Sequence, residues 1–208
     1  MRSAEQDVAA GASASDGITR DAGLVLSTPE SGAAVEYSAD GGKTWAKTTL
    51  PNPPDGGKAD RNLYHVFSDQ KSALYISAEQ GIVLKSTDGG ANWSYLTTGG
   101  KGSLWSGVAM PDGRIVVGGL LGSLFQSSDG GATWQPLKAE TKSSITSLVA
   151  SGGGLMGVGL NGLMLRQRAP GASVEVSQRP DRVPLTAILM GSSGKPILFS
   201  QDGVLATR

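Results

Sequence analysis

The chain has 208 residues, and its 18 basic and 18 acidic side chains cancel to a formal net charge of zero, with neither sign gathered into a block. This even distribution argues against a nucleic-acid or anionic-membrane partner, because both require a clustered positive face. The chain has no cysteine, which excludes disulfides, thiolate metal sites and cysteine nucleophiles, and no apolar run approaches the ~20 residues of a membrane-spanning helix.

The first segment, residues 1–16, is rich in Ala, Ser and Gly. It contains no apolar core of a secretory signal, so it is not a signal peptide as written. Its composition predicts either a flexible lead-in or a strand that closes the domain behind it. The composition makes it a poor strand former.

From residue 17 onward the chain repeats itself. The octets "SADGGKTW", "STDGGANW" and "SSDGGATW" occupy 38–45, 86–93 and 127–134. A glycine followed by apolar residues recurs five times at intervals of 49, 41, 40 and 41 residues, as Gly32, Gly81, Gly122, Gly162 and Gly203. Each unit contains four short strand patterns separated by turn signals, and no helical period persists. Such a pattern is typical of a β-propeller.

We therefore predict an all-β propeller domain over 17–208, built from four-stranded antiparallel blades with about five repeats. The approximate blade ranges are 17–50, 60–98, 103–138, 143–178 and 183–208. The last unit stops after its third strand, so a closed ring must borrow a strand, and 1–16 is the available donor. The alternatives are that the chain is part of a larger propeller or is completed by another chain. The oligomeric state is left open.

The octets are predicted to be structural hairpin turns. Short polar side chains accept turn hydrogen bonds, glycines adopt positive φ, and each tryptophan buries a large surface between adjacent blades. The residues given this role are Ser38, Asp40, Gly42, Trp45, Ser86, Asp88, Gly90, Trp93, Ser127, Asp129, Gly131 and Trp134. Equivalent turns lie far apart around a propeller, so the three aspartates should not converge into a metal or acid/base site. In the fourth unit Ala169 and Val174 replace the aspartate and tryptophan without disturbing the period.

The octet resembles the Asp-box, or bacterial neuraminidase repeat, of sialidases and many non-enzymatic propellers. With the glycine-led apolar strand before it, the pattern is most similar to the photosystem II assembly and stability factor family and its bacterial relatives. This resemblance implies a non-catalytic scaffold that docks a protein partner, such as a membrane-complex subunit. It implies no cofactor and suggests the periplasm or another extracytoplasmic space.

The alternative is a carbohydrate-binding or sialidase/glycosidase-related propeller. Resemblance to a sialidase would require three convergent arginines, but the candidates fall on opposite ends of the blades: Arg61, Arg114, Arg166 and Arg168. His65 is the only histidine, so it has no second histidine ligand for zinc, and it should line the channel or hydrogen-bond to backbone. No metal site is predicted.

A partner should bind at the blade end that carries the B–C turns and the D–A connections, with strands lettered A to D from axis to rim. The lengthened connection 50–62 lies there, as do the apolar turn residues Leu120 and Leu121. The alternatives are that Pro/Gly-rich loops lengthen at little entropic cost and that a leucine is tucked under a neighbouring loop. The candidate binding residues are Asn62, Tyr64, Glu79, Gln80, Trp105, Leu120, Leu121 and Asn161.

Overall fold

The computed structural model describes residues 23–27, 34–54, 56 and 61–205. Over these ranges the protein is built from antiparallel strands, with single turns of 3-10 helix at Leu120–Gly122 and Leu160–Gly162. The prediction of an all-β propeller is confirmed. The closing-strand role expected for 1–16 lies outside the described residues, as do 17–22, the first B–C turn at 28–33 and positions 55 and 57–60 of the long connection.

Three consecutive units form complete four-stranded antiparallel sheets in which each strand pairs with the next along the chain. The strands of the second sheet are β4 (Leu63–Ser68), β5 (Leu74–Ala78), β6 (Ile82–Ser86) and β7 (Ser94–Thr97). Those of the third sheet are β8 (Leu104–Ala109), β9 (Ile115–Gly119), β10 (Leu124–Ser127) and β11 (Gln135–Pro136). Those of the fourth sheet are β12 (Ile145–Ser151), β13 (Gly154–Gly159), β14 (Leu163–Gln167) and β15 (Glu175–Gln178).

The first and fifth sheets contain three strands each among the described residues. The first sheet has β1 (Gly23–Ser27), β2 (Ala34–Ser38) and β3 (Ala46–Thr48), which correspond to strands B, C and D. The fifth has β16 (Leu185–Met190), β17 (Pro196–Ser200) and β18 (Gly203–Leu205), which correspond to A, B and C. Neighbouring sheets contact one another in chain order, and within these ranges no strand pairing joins the fifth sheet to the first. The described part of the propeller is an open row.

The core consists of four apolar layers, one between each pair of neighbouring sheets. We call the side of a sheet that meets the preceding sheet its back face, and the side that meets the following sheet its onward face. In the second sheet the back face carries Ile76, Leu84 and Trp93, while the onward face carries Tyr75 and Val83. Adjacent side chains of one strand thus enter different layers, as strand geometry requires.

The inner strands of neighbouring sheets are also joined by hydrogen bonds from one equivalent position. In each case a side chain of one A strand accepts a backbone N–H of the next A strand. The three pairs are His65 Nδ1 with Gly107 at 3.2 Å, Ser106 Oγ with Leu148 at 3.1 Å and Ser147 Oγ with Ile188 at 3.3 Å. His65 therefore occupies a position that serine fills in the next two sheets, and its ring hydrogen-bonds to backbone.

Candidate functional site

The B–C turns of the second, third and fourth sheets share one backbone geometry. Gln80, Leu121 and Asn161 have φ of 59°, 54° and 57°, and a glycine follows each of them. A Cβ on Gly81 would lie 2.2 Å from the carbonyl oxygen of Gly100, so the turn packs directly on the connection that leads into the next sheet. Turns and connections of neighbouring sheets therefore form a continuous rim at this end.

Leu121 is the most unusual residue of the rim. Its side chain is 66% exposed, and its left-handed backbone costs a non-glycine residue roughly 1–2 kcal/mol. The equivalent positions hold the polar Gln80 and Asn161, and asparagine is the residue that tolerates this conformation best after glycine. The backbone N–H of Leu121 donates to Ser144 Oγ at 3.1 Å, which fixes the turn. A fold alone gains nothing from an apolar side chain here.

Leu121 lies at the same end of the blades as four further residues of the second and third units, and we call these five residues the rim cluster: Tyr64, Ser103, Trp105, Leu120 and Leu121. The Tyr64 side chain is 41% exposed, and its hydroxyl lies 3.5 Å from Ser103 Oγ. The carbonyl oxygen of Ser103 accepts the backbone N–H of Leu120 at 2.8 Å. Trp105 follows two residues after Ser103 and is half-buried, as is Leu120.

The other candidate binding residues form two polar groups. Asn62 Nδ2 donates to Glu79 Oε2 at 3.1 Å, and the Arg61 guanidinium donates to Gln80 Oε1 beside them. Asn161 lies in the fourth sheet, where its Nδ2 donates to Ser143 Oγ at 3.4 Å. The sequence reasoning missed Ser103 and also Leu160, which is 39% exposed in the same turn as Asn161. The "LNG" pattern, parallel to "LLG", was the available signal for Leu160.

The octets lie at the opposite end of the blades and share one hydrogen-bond pattern. In the second sheet Ser86 Oγ donates to Asp88 Oδ1 at 2.8 Å and accepts the Gly90 N–H at 2.9 Å. Asp88 Oδ1 also accepts the Asn92 N–H at 2.9 Å, and its Oδ2 accepts Asn92 Nδ2 at 2.7 Å. The first and third octets repeat these contacts, with threonine in place of asparagine.

These bonds favour the charged carboxylates and so lower their pKa. The backbone and side-chain bonds from Asn92 hold the pKa of Asp88 at about 2. The hydroxyl and backbone bonds from Thr44 and Thr133 do the same for the pKa of Asp40 and Asp129, also about 2. Each aspartate carboxylate thus accepts its hydrogen bonds from its own turn, as a structural role requires.

The octets also join neighbouring sheets. The Gly90 carbonyl accepts the Trp93 indole N–H at 2.9 Å and the Thr48 hydroxyl of the preceding sheet at 2.9 Å. Similarly, the Gly130 carbonyl of the third sheet accepts Lys85 Nζ of the second sheet at 2.7 Å. The second and third octets are therefore each held partly by the sheet before them.

The tryptophans correct one expectation. Trp93 is 6% exposed and Trp134 is half-buried, but Trp45 is 36% exposed, so the prediction that all three are largely buried is wrong for Trp45. Trp93 and Trp134 pack on the preceding sheet. Within the described residues no sheet precedes the first, which explains the exposure of Trp45.

The fourth unit keeps its turn by other contacts. Gln167 stands where the octets have serine, and its Nε2 donates to the Ala172 carbonyl at 2.9 Å. Its Oε1 accepts Arg114 Nη1 of the third sheet at 3.2 Å. Arg114 is thus buried at the octet end, whereas Arg61 lies at the rim. Arg168 pairs with Glu175, also at the octet end, at 2.9 Å, so the arginines do not converge.

Within the described ranges, no three acidic or histidine side chains are grouped to share a metal ion. The same part of the chain has no helix with the length and hydropathy needed to cross a bilayer.

The sheets and repeats define a β-propeller of the bacterial neuraminidase repeat class. Residues 16–179 match the family described as "Photosynthesis system II assembly factor YCF48", and the chain belongs to this family. The resemblance noted from the octets is confirmed. No sequence among the curated proteins matches the chain at a significant level.

Several solved structures share the fold. A YCF48 bound to a D1 peptide superposes with a TM-score of 0.66 at 22% identity, covering 87% of this chain and 57% of that one. YCF48 from Cyanidioschyzon merolae gives 0.62 at 19% identity, covering 88% and 62%. A catalytically inactive virginiamycin B lyase from Staphylococcus aureus with quinupristin gives 0.71 at 15% identity, covering 86% and 60%. This chain therefore spans about three fifths of the length of these proteins.

Proposed function

We propose that this protein is a non-catalytic interaction platform, an assembly or accessory factor that docks a subunit of a membrane-associated complex. We propose that it acts in the periplasm or another extracytoplasmic space. The single observation that carries the proposal is Leu121, an exposed apolar side chain held in a left-handed turn at the rim. Membership of the assembly-factor family supports it.

The physical argument rests on the comparison of three equivalent turns. Asparagine or glutamine satisfies this turn in the fourth and second sheets, so the fold has a polar solution available. Leucine adds both backbone strain and exposed apolar surface, and exposed apolar groups with an aromatic neighbour are typical of protein contacts. Tyr64 and Trp105, on the inner strands of the second and third sheets, add aromatic surface at the same end of the blades, and interface hot spots are enriched in these residue types.

We infer that the partner presents a short peptide segment to the rim cluster. A related YCF48 structure contains a D1 peptide, which supports a peptide as the bound form. The neighbouring groups of Asn62 with Glu79 and Arg61 with Gln80 offer polar side chains beside the apolar ones. Aromatic anchors with a polar border suit a peptide whose apolar side chain enters the cluster while its backbone meets the polar groups.

A catalytic role receives less support. The virginiamycin B lyase shows that enzymes share the fold, but a common fold does not transfer activity. A sialidase-like carboxylate clamp would need arginines that converge, whereas Arg114 and Arg168 lie at the octet end and Arg61 lies at the rim.

The experiment is a quantitative pull-down from native membrane extract with three proteins: wild type, Leu121→Asn and Lys43→Glu. Leu121→Asn copies the residue of the equivalent fourth-sheet turn, so it keeps the backbone and removes only the apolar contact. We expect it to reduce partner recovery about tenfold, the equivalent of ~1.4 kcal/mol, without lowering the melting temperature. Lys43→Glu alters the octet end and should retain the partner.

Loss of the partner by the Lys43 variant, with retention by the Leu121 variant, would place the working face at the octet end. Hydrolysis of a sugar substrate by the wild-type protein would contradict the non-catalytic role. A melting temperature that falls with Leu121→Asn would show that Leu121 serves stability instead of binding.

A further inference from the structure

The inner strands of the second to fifth sheets share a β-bulge at the same place. In each sheet the second residue of the A strand has no partner on the B strand, because the residues on either side of it pair with two consecutive residues. The unpaired residues are Tyr64, Trp105, Thr146 and Thr186. A bulge re-aims the side chain of its extra residue, so this position is not bound to the alternation that fills the apolar layers.

Threonine shows what the fold itself needs at the bulge. Thr146 Oγ1 donates to the Leu185 carbonyl at 2.7 Å and so ties the inner strand of the fourth sheet to that of the fifth. Tyr64 and Trp105 hold the position in the second and third sheets, and neither belongs to one of the four apolar layers. Tyr64 is 41% exposed and Trp105 is half-buried. The two aromatic rings therefore add surface that the packing of the core does not use.

The polar atoms of these two aromatic side chains are available hydrogen-bond donors. Trp93 and Trp134 donate their indole N–H to a carbonyl of their own octet. Among the residues that the structure describes, the Trp105 indole N–H has no acceptor, and its nitrogen is not buried. The Tyr64 hydroxyl lies 3.5 Å from Ser103 Oγ, which is too long for a strong hydrogen bond. Both donors can therefore bond to the acceptors of a ligand.

The spacing of the two positions indicates the conformation of the ligand. Packed sheets lie about 10 Å apart, and a polyproline II helix rises about 3.1 Å per residue with about three residues per turn. Residues three positions apart on such a segment face the same side and lie about 9 Å apart. This repeat is close to the step from the bulge of one sheet to the bulge of the next. The carbonyls of the segment form no bonds within it, so they can accept the two donors.

Two other ways of binding a peptide fit this position less well. The addition of a strand needs a regular edge, and a bulge in the inner strand twists that edge away from further pairing. In a helical ligand the carbonyls accept bonds within the helix, so they are not available to the indole and the phenol. An extended ligand that lacks N–H groups and offers only carbonyls matches a site that offers donors.

We propose that Tyr64 and Trp105 bind a proline-containing segment of the partner in the polyproline II conformation. Two of its residues, three positions apart, pack on the two rings, and its carbonyls accept the donors of both side chains. Aromatic side chains that combine an apolar face with a donor are the usual receptors of such segments. Lys101, exposed in the connection that leads to Ser103, adds a positive charge that favours the carbonyl oxygens. The inference rests on the proposed function, because it names the kind of segment that the rim cluster docks.

The test is a titration of the ¹⁵N-labelled chain with a decaproline peptide, followed by nuclear magnetic resonance. The chain has four tryptophans, so the spectrum contains four indole N–H signals, and Trp105→Thr identifies the signal of Trp105. We expect this signal to move downfield, because its N–H gains a carbonyl acceptor, while the signal of the buried Trp93 stays in place. A peptide of the same length that alternates glycine and serine should move none of the four signals.

Two variants measure the contribution of each ring. Trp105→Thr and Tyr64→Thr copy the residue of the same bulge in the fourth and fifth sheets, so each keeps the backbone and removes an aromatic side chain. Each should weaken decaproline binding about tenfold or more, as measured by fluorescence anisotropy of a labelled peptide. Trp45→Thr is the matched control, since it makes the same change at an exposed tryptophan of the octet end, and it should bind as the wild type does. Circular dichroism verifies that each variant is folded.

A wild-type chain that does not bind decaproline would overturn the proposal, as would binding that leaves the Trp105 signal unmoved or that survives in both threonine variants. A Trp105 signal that moves with maltohexaose and not with decaproline would also overturn it, because the site would then bind a saccharide.

The pull-down with Leu121→Asn separates this inference from the proposed function. Loss of the partner in that variant, without decaproline binding by the wild type, would leave the docking function standing and refute the proline-containing segment. Decaproline binding at Trp105, with a partner that Leu121→Asn retains, would support the aromatic site and refute the role of Leu121.

Discussion

Trp93 and Trp45 occupy the same octet position in neighbouring units, yet substitution by alanine should have very different effects on the free energy of unfolding. Trp93 is 6% exposed and lies in the apolar layer that also contains Val35 of the first sheet, Leu50 of the connection after it and Leu84 of the second sheet. Removing a buried aromatic side chain typically costs 3–5 kcal/mol, through lost transfer free energy and the cavity left behind. We expect Trp93→Ala to destabilise the protein by about that amount.

Trp45→Ala should cost about 1 kcal/mol or less, because its side chain is 36% exposed and meets no preceding sheet in the described residues. Trp93→Phe separates packing from hydrogen bonding. It keeps most of the ring volume and loses only the indole N–H to Gly90, whose carbonyl still accepts the Thr48 hydroxyl at 2.9 Å. That variant should lie between wild type and Trp93→Ala.

The assay is urea unfolding followed by circular dichroism, since fluorescence would change with the tryptophan itself. Measurements belong at the lowest practical protein concentration, so that self-association does not add to the apparent stability. Equal losses for Trp45→Ala and Trp93→Ala would refute the reasoning, because burial by the preceding sheet would then not determine the contribution of the octet tryptophan.

Three further outcomes follow from the contacts. Gly119→Ala should lower the free energy of unfolding in urea by about 1–3 kcal/mol, because its Cβ would lie 2.1 Å from the Ser103 carbonyl oxygen. Stability close to that of the wild type would contradict this close packing. His65→Ala should lower the free energy of unfolding by about 1 kcal/mol, because it leaves the Gly107 N–H without its acceptor. His65→Ser should recover much of that stability, because serine accepts the equivalent bond in the next two sheets. Equal losses for the two variants would argue against this common role of the histidine and the serines. The pKa of Asp88 is lowered from 3.8 to about 2 in the folded protein, so its contribution to the free energy of unfolding is present above pH ~4 and is lost as the pH falls toward 2. Asp88→Asn should therefore flatten the fall of the melting temperature between pH ~4 and pH ~2. A melting temperature that depends on pH as in the wild type would contradict this role of Asp88.

The repeats made much of the fold predictable. Turn chemistry in "DGG" and the apolar strands are local properties, so Asp88, Gly90 and their equivalents could be placed from sequence. The contact of Asn92, or of the equivalent threonine, with the aspartate is also local, but the change of residue type between the octets hides it from a search for a repeated pattern.

Properties that depend on neighbouring sheets could not be predicted in the same way. The burial of Trp45 depends on what precedes the first sheet, and one repeat does not encode it. The contact between the hydroxyls of Tyr64 and Ser103 crosses from one sheet to the next, between residues 39 positions apart in the chain. The sequence predicts an apolar turn tip at Leu121, but it does not predict the left-handed backbone that makes leucine unfavourable for stability there, because that conformation depends on how the turn packs on the next sheet.

The hydrogen bonds between inner strands have a consequence for how the molecule opens. Each of these bonds links a sheet only to the next one, as do the apolar layers, so coupling runs between nearest neighbours as in a linear array. Sheets at the two ends of such an array fray first, and amide hydrogens in the third sheet should exchange most slowly. Tyr64 and Leu121 belong to the second and third sheets. The rim cluster therefore lies in sheets that have a described neighbour on both faces, so local opening of the first or the fifth sheet leaves it intact.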